Sequence, residues 1–410
     1  MPDWEGWLAV FALLHAAGVL RLLGGGNDNA PILIAVWFAL FVAAFALLCY
    51  DDRLRWLVWM LRRQPLLCAL LIMATASWFW SIAPEFTWSR SILLVGTTLI
   101  GVYIGYRFSP PALMVILFHT FAFLVVGGVL AALLSPGYGR TFLEDGHVWI
   151  GLAVNRNHFG FVATIAAVFF LVGSLFGRIP PLLGSALALL SVLALVMTGS
   201  ATAIVALVVG VITVVIFMLS KWIRAPSILT LILVLAAGTG AALLIATTDY
   251  VYDFTDALNR SPTFTGRTQI WAAAWQATLD RPWLGWGYGA LWSTSADSAF
   301  VQRQLLGIDQ LVAHAHNSFL NVASELGIPA GIAAIGYLLV VLLQATRAYI
   351  RRASPFVLFA IALGFMVTVE SVAEARLLER RQFFWILFVA IAIAVQWALP
   401  APRRRAPGRP

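Results

Sequence analysis

Long apolar runs recur along the whole chain and constrain its fold more than any other feature. A run of about 18 to 22 apolar residues is long enough to cross a hydrocarbon core of about 30 Å as an α-helix. The composition agrees, since 61% of the 410 residues are hydrophobic and only 11% are charged, unlike soluble domains. The sequence therefore predicts an all-α polytopic membrane protein with about twelve transmembrane helices, at residues 5–23, 31–50, 65–82, 89–106, 112–134, 158–177, 181–198, 201–219, 228–247, 322–346, 355–373 and 381–399.

Basic residues between the runs predict the orientation. With twelve spans, the main clusters fall on one side, which the positive-inside rule assigns to the cytoplasm. These clusters are Arg53, Arg55, Arg62, Arg63, Arg178, Lys221, Arg224, Arg347, Arg351, Arg352 and Arg403 to Arg405. Both termini are then cytoplasmic, and the net charge of +8 reflects topology rather than a nucleic-acid partner. The predicted organisation is spans one to nine in 1–247, an extracytoplasmic loop at 248–321, spans ten to twelve in 322–399 and a basic tail at 400–410.

A second set of arginines falls on the other side, in the loops at 135–157, 248–321 and 370–382. Ordinary surface charge, paired with nearby acidic residues, is one explanation. The other is a phosphate site, because guanidinium groups bind phosphate bidentately and several could converge on one lipid-linked phosphate or diphosphate. The arginines concerned are Arg140, Arg156, Arg260, Arg267, Arg281, Arg303, Arg376, Arg380 and Arg381.

Within the long loop, the segment after Thr265 has helical periodicity. Thr265 can cap a helix that begins at Gly266 and stops before Pro282. Arg267, Trp271, Ala274 and Trp275 would share one face of this helix, which would lie along the bilayer surface. Either the face is an interfacial aromatic belt with one snorkelling arginine, or Arg267 is aimed at a diphosphate.

The next stretch, "RPWLGWGYGALW" at 281–292, is rich in glycine and aromatic residues. Its glycines do not follow the G-x-G-x-x-G spacing and no strand precedes them, so a dinucleotide site is not indicated. A tight turn is predicted instead, with aromatic faces suited to sugar rings on Trp283, Trp286, Tyr288 and Trp292.

The stretch "HAHNSFLNVASELGIPAG" at 314–331 concentrates polar groups just before a spanning helix. His314 and His316 share a side if the chain is extended there. A zinc site would need a third ligand, and no His-Glu-x-x-His motif or cysteine pair offers one, so no metal is predicted. Histidine titrates near neutral pH, which suits a proton acceptor for a sugar hydroxyl.

Four of these stretches resemble the O-antigen ligase and polymerase-like superfamily of bacterial membrane glycosyltransferases, and most closely the exopolysaccharide polymerases of the succinoglycan type. They are "GLAVNRNHFG", "TGRTQIWAAAW", "RPWLGWGYGALW" and "HAHNSFLNVASELGIPAG". The resemblance implies a GT-C type, inverting, metal-independent transfer without a cofactor, from a glycan on undecaprenyl diphosphate to a hydroxyl of another lipid-linked glycan. It also implies location in the bacterial inner membrane, a periplasmic active site and a chain-length regulator protein as a candidate partner.

The resemblance also implies roles for individual residues. Arg267 matches the arginine expected to bind the donor diphosphate and offset charge on the leaving group, and His316 matches the histidine expected to orient or deprotonate the acceptor hydroxyl. Further residues expected to bind diphosphate or substrate are Arg156, Arg140, Arg281, Asn157, Asn317, His314, Trp271, Tyr288, Arg376 and Arg380.

Two positions depart from the family pattern. Ala330 stands where glycine is common, and Ala201 stands where many members have an arginine. A second arginine for the diphosphate must then come from Arg156, Arg140, Arg376 or Arg380. Polymerisation is the favoured activity. Ligation to lipid A core or protein is the first alternative, and transport of lipid-linked oligosaccharide is disfavoured because the spans carry few charges.

Overall fold

The computed structural model describes residues 2–27, 30–52, 54–143, 146–219, 266–307 and 311–399, with single helical positions at 232, 236 and 240. Several predicted features lie outside the described residues. They are most of the ninth span at 228–247, the Thr265 cap, the tail at 400–410, and the basic residues Arg53, Lys221, Arg224, Arg260 and Arg403 to Arg405.

The described chain is almost wholly helical, which confirms the all-α polytopic prediction. Many helices begin at a proline, whose missing N–H and fixed φ suit the first helical position. The helices of nine residues or more, α1 to α15, are Trp4–Ala16, Pro31–Asp52, Arg55–Arg63, Pro65–Ala76, Pro84–Arg107, Pro110–Leu134, Arg156–Leu175, Pro181–Thr198, Ala201–Leu219, Gly266–Asp280, Ala296–Leu306, Ser318–Leu326, Ile328–Arg351, Pro355–Ala373 and Phe383–Ala398.

Among the described residues, eight helices are long and apolar enough to cross a membrane: α2, α5, α6, α7, α8, α9, α13 and α14. Three other predicted spans are shorter or broken. Helix α1 has 13 residues, α4 follows α3 at a bend of 102°, and α15 has 16 residues. The run predicted as the tenth span is divided at Gly327 into α12 and α13.

Helices α7, α14 and α15 form the centre of the bundle. Within their spanning windows, 83% of α7 and 94% of α14 is buried inside the protein, and every α15 residue from Phe383 to Gln396 is buried. Gly101 and Gly105 of α5 face α15, where a Cβ on Gly101 would lie 2.9 Å from the Ile386 carbonyl oxygen. Small residues four apart thus allow close helix packing, as in other membrane bundles.

Two short features close one end of this bundle. A hairpin pairs Arg140–Leu143 antiparallel with Gly146–Trp149. The second feature is the break at Gly327, which ends α12 with φ of +89°. A Cβ on Gly327 would collide with the Trp283 backbone, so only glycine permits this approach. Helix α13 starts directly after it and carries the chain to the opposite end.

Candidate active site

Glu374, the residue directly after α14, receives side-chain contacts from three distant segments. Asn157, in the first turn of α7, donates from Nδ2 to Oε1 at 2.9 Å, and Arg267 Nη2 lies 3.2 Å from the same oxygen. His316 Nδ1 lies 3.2 Å from Oε2. The structure thus brings Arg267, His316 and Asn157 together around one carboxylate.

The Glu374 carboxylate is ionised in this setting. Its residue is 7% exposed, and burial by itself would raise its pKa. The hydrogen bond from His316 and the charges of Arg376, His316 and Arg267 outweigh burial and hold the pKa of Glu374 well below its usual range. Glu374 is therefore a fixed negative charge at neutral pH.

His316 is held in a backbone conformation that few side chains adopt. Its φ is +48°, in the left-handed region, and its carbonyl oxygen accepts from Trp271 Nε1 at 3.4 Å. Asn317 then caps α12 by accepting from the N–H groups of Phe319 and Leu320. The cap and the strained residue together fix the direction of the imidazole, as is common at functional sites.

The contact with Glu374 assigns the two nitrogens of His316. Because an ionised carboxylate only accepts, Nδ1 carries the proton that faces it, so in the neutral form of the imidazole the lone pair is on Nε2. The side chain is 32% exposed, so a reactant can reach it. This arrangement suits a general base oriented by a carboxylate.

His314 lies beside His316 with a different role. The ring centroids are 4.1 Å apart, and the His316 backbone N–H donates to His314 Nδ1 at 3.2 Å. Burial, and then the charge of His316, lower the pKa of His314 to about 4. His314 is therefore neutral near pH 7 and carries its proton on Nε2, so it can donate a hydrogen bond but is a poor base.

His314, His316 and Glu374 also raise the question of a metal. Each offers a ligand atom, and these atoms lie within 4.8 Å of one another, so Glu374 provides the third donor that sequence motifs did not reveal. The fit to a cation is poor, because His314 Nδ1 and both Glu374 oxygens already accept hydrogen bonds and Arg267 adds positive charge next to them. The prediction of no metal stays a prediction.

Arg376 is buried in an ion pair of its own. Its Nη2 lies 3.2 Å from Oε2 of Glu370, with side-chain exposures of 7% and 0%, and its guanidinium lies 4.8 Å from the centroid of the Phe384 ring. Ser318 Oγ accepts from the Arg376 N–H at 2.7 Å and donates to the Glu374 carbonyl at 3.0 Å. Arg376 thus holds the loop after α14 in place and does not contact the Glu374 carboxylate in the manner of Arg267.

The other predicted arginines occupy separate places. Arg140 donates to the Ala132 carbonyl at 2.6 Å, which ties the hairpin to the end of α6, and Arg281 stacks on Trp286 at 4.1 Å. Arg156 reaches towards the start of α9, since a Cβ on Gly199 would lie 3.7 Å from its Nη1. That position is two residues before Ala201, the position at which the resemblance described above leads to the expectation of an arginine.

A polar cavity of about 400 Å³ adjoins the cluster, with His314 in its wall. Arg90, Arg380, Glu379, Glu325 and Tyr288 line it as well. Burial raises the pKa of Glu325 to about 8, so this carboxyl is largely protonated at neutral pH and can donate a hydrogen bond. The cavity therefore offers both hydrogen-bond donors and hydrogen-bond acceptors close to the oriented imidazole of His316.

The aromatic predictions were right in part. The glycine-rich stretch is a turn, with positive φ at Gly285, Gly287 and Gly289, and the helix predicted from Gly266 is observed as α10. However, Trp292 is only 3% exposed and Tyr288 4%, with its hydroxyl donating to the Leu378 carbonyl at 2.6 Å. The prediction that Trp292 is presented to a sugar at the surface was therefore wrong, whereas Tyr288 lines the polar cavity and its role in binding stays a prediction.

Trp275 also departs from the expected face of α10. The buried side consists of Ala273, Ala274, Ala277 and Thr278, whereas Trp275 is 50% exposed. Of the two tryptophans, only Trp271 therefore lies with Arg267 at the Glu374 cluster. The buried side of α10 packs closely against α12 and the turn at 285–289, where only small side chains such as alanine fit.

Residues 186–335 match the family described as O-antigen ligase. No curated protein matches the chain. The matched segment includes both Arg267 and His316, which meet at Glu374. The chain is therefore a multi-pass membrane protein with an O-antigen ligase match over residues 186–335, which supports its resemblance to the O-antigen ligase and polymerase-like superfamily.

Proposed function

We propose that this protein is an inner-membrane glycosyltransferase of the GT-C type that polymerises undecaprenyl-diphosphate-linked repeat units on the periplasmic side, and that it is closest to the succinoglycan-type polymerases. The observation that carries the proposal is the convergence of Arg267 and His316 on Glu374. A cationic group and an oriented base, both partly exposed, stand where a diphosphate leaving group and an attacking hydroxyl could meet.

The proposed reaction is a single displacement at the anomeric carbon of the donor glycan. The acceptor hydroxyl oxygen forms a bond to that carbon while the bond to the diphosphate oxygen breaks, and the configuration inverts. The hydroxyl proton passes to Nε2 of His316, and the electron pair of the broken bond leaves with undecaprenyl diphosphate. No metal ion takes part, so cationic side chains must stabilise the negative charge that develops.

Arg267 and Arg156 are the arginines proposed to hold the diphosphate. Arg267 Nη2 faces Glu374, which leaves other N–H groups of the fork for a phosphate oxygen. Arg156 lies at the first residue of α7, directly before Asn157, and extends towards Gly199. Arg156 can therefore place a positive charge close to position 201, where this chain has an alanine instead of an arginine.

The polar cavity beside His314 is the proposed entry for the acceptor sugar. His314 lines the cavity and its ring lies beside that of His316, so a sugar bound there would bring a hydroxyl near the base while it contacts Arg90, Glu325 and Glu379. The mixed lining of the cavity suits a sugar bearing many hydroxyl groups. A lipid A core or protein acceptor, which would make the enzyme a ligase, is the alternative.

The test is a reconstituted assay with purified protein in lipid nanodiscs and lipid-linked repeat units from the native host, with products separated by length. His316→Ala should lower turnover about 10²- to 10⁴-fold and Arg267→Ala about 10²- to 10³-fold. The control is Arg303→Gln, an exposed arginine of α11 in the same loop, which should retain activity. A product ladder from either site variant comparable to that of the unmodified protein would refute the assignment.

A second arm separates the two activities. When lipid A core replaces the lipid-linked acceptor, a polymerase should give no conjugate, while a ligase should give one. Conjugate formation without a ladder would overturn polymerisation in favour of ligation.

A further inference from the structure

A groove with a cationic rim lies at the end of the bundle opposite the Glu374 cluster. Helix α13 begins beside the glycine turn, where the Ile328 N–H donates to the Pro282 carbonyl, and runs for 24 residues, about 36 Å. At its far end, α13 meets the α3–α4 bend and the end of α15. The groove between them has a volume of about 480 Å³.

Four guanidinium groups surround this groove, and no described carboxylate balances them. Arg62 and Arg63 come from α3, and Arg347 and Arg351 from the last turns of α13. In the part of the chain that the structure describes, no acidic residue lines the groove and no ion pair to these four arginines is present. Like charges held together in this way are destabilising unless an anion binds between them.

The floor of the groove contains a hydroxyl for which the described residues provide no hydrogen-bond partner. Tyr337 lines the groove, is 2% exposed, and its buried hydroxyl makes no hydrogen bond. A buried polar group in this condition is costly and calls for an unseen partner. Gln64, 2% exposed, lies in the same wall. The groove therefore lacks both an anion at its rim and a hydrogen-bond acceptor at its floor.

Helix α3 indicates what kind of molecule the groove faces. Its residues Trp56 and Met60 are buried, whereas Leu57, Val58 and Leu61 are 41% to 53% exposed. Arginines at both ends and an exposed apolar side are typical of a helix that lies at the level of lipid headgroups. The sharp bend before α4 is consistent with that placement.

We propose that this groove binds an anionic phospholipid. The phosphate would lie between the rim arginines, which bind it bidentately. The ester carbonyl oxygens, which can only accept, would receive hydrogen bonds from donors such as the Tyr337 hydroxyl. The acyl chains would continue along Leu66 and Val340, which line the groove nearby. The site is separate from the proposed sugar transfer and does not depend on it.

The experiment measures retained lipid by native mass spectrometry of the full chain, exchanged into detergent with phosphatidylglycerol or phosphatidylcholine. The protein should retain phosphatidylglycerol in preference to phosphatidylcholine. Arg347→Gln combined with Arg351→Gln should weaken that binding about thirtyfold, and Arg351→Gln alone about fivefold. Arg352→Gln is the matched control, because Arg352 is the exposed neighbour of Arg351 and does not line the groove.

Two further arms keep the proposal falsifiable. Tyr337→Phe should weaken phosphatidylglycerol binding while thermal stability, measured in parallel, is kept, because it removes only the unpartnered hydroxyl. Displacement of the bound lipid by millimolar glycerol phosphate, or equal losses for Arg351→Gln and Arg352→Gln, would overturn the assignment of a specific lipid site. Equal retention of phosphatidylcholine would do the same.

Discussion

The two ends of helix α13 hold arginines in different surroundings. Near its start, Arg267 and Arg376 each face a carboxylate, Glu374 and Glu370, and each of these two guanidinium groups is held by its ion pair. At its far end, the groove arginines face one another around an open space. The first arrangement supplies fixed charge for chemistry, whereas the second leaves charge available to a ligand. The number of arginines in a loop does not distinguish these two uses. The presence or absence of a carboxylate partner for each arginine does.

The largest effect on activity is expected when the Glu374 carboxylate at the active-site end is removed. Glu374→Gln keeps the shape of the side chain but loses the charge that orients His316, and we expect kcat to fall about 10²- to 10⁴-fold with little change in KM. The length-resolved polymerisation assay measures both constants. Glu85→Gln, at an exposed position in the first turn of α5, is the control. Wild-type kcat in Glu374→Gln would remove Glu374 from the mechanism.

A smaller effect tests whether Arg156 replaces the arginine absent at position 201. Arg156→Gln should lower kcat/KM about tenfold, the loss expected for one charge-assisted hydrogen bond. Adding Ala201→Arg to that variant should recover part of the activity, because the new guanidinium would start from the helix that Arg156 approaches. A double variant no better than the single one would contradict this role.

The pH dependence of stability separates Glu325 from Glu374. Burial raises the folded-state pKa of Glu325 from 4.5 to about 8, so its contribution to stability is present below pH 4.5 and is lost as the pH rises towards 8. Glu374 has a lowered pKa, so its contribution is present above the ordinary value and is lost only as the pH falls. Glu325→Gln should reduce the decrease in Tm between about pH 5 and pH 8 by about 2 °C, measured by thermal unfolding in nanodiscs.

Glu85→Gln serves again as the control for that measurement. A decrease in Tm over the same range that is unchanged by Glu325→Gln would show that the Glu325 carboxyl is already ionised at neutral pH.

The smallest expected effect is that of a chelator. Because His314, His316 and Glu374 are engaged with one another and with Arg267, we expect EDTA to leave polymerisation unchanged. Activity that is lost with EDTA and restored by added zinc would instead make this cluster a metal site.

The spanning helices were the most predictable part of the molecule. Helices α8, α9 and α14 have the bounds expected from apolar runs alone, since the bilayer sets both their length and their composition. Helix α10 was also predicted, because Pro282 limits its end. The break at Gly327 was not, because it depends on the close approach of the Trp283 backbone rather than on any local signal.

The centre of the candidate site was less predictable than its members. His316 and Arg267 were selected from motifs, but Glu374 was not, since it lies 58 residues from His316 and 217 from Asn157 in the chain. In its loop the sequence pattern singles out the arginines, and it indicates the acidic residues only as surface partners of those arginines. Which carboxylate meets which guanidinium is decided by helix packing, as the separate pairing of Arg376 with Glu370 illustrates.

The shortness of α15 has a consequence for water. Sixteen residues span about 24 Å, less than the hydrocarbon thickness of about 30 Å. When α15 spans the membrane, one of its ends must therefore lie inside the hydrocarbon boundary, and in the loop that carries Glu374 an irregular backbone survives there only if protein groups satisfy it. Ser318 and Thr97 do so by accepting from the N–H groups of Arg376 and Arg381. In the glycosyltransferase proposed above, this position would limit the access of bulk water to the donor diphosphate, while a sugar carried on its own lipid could still reach it.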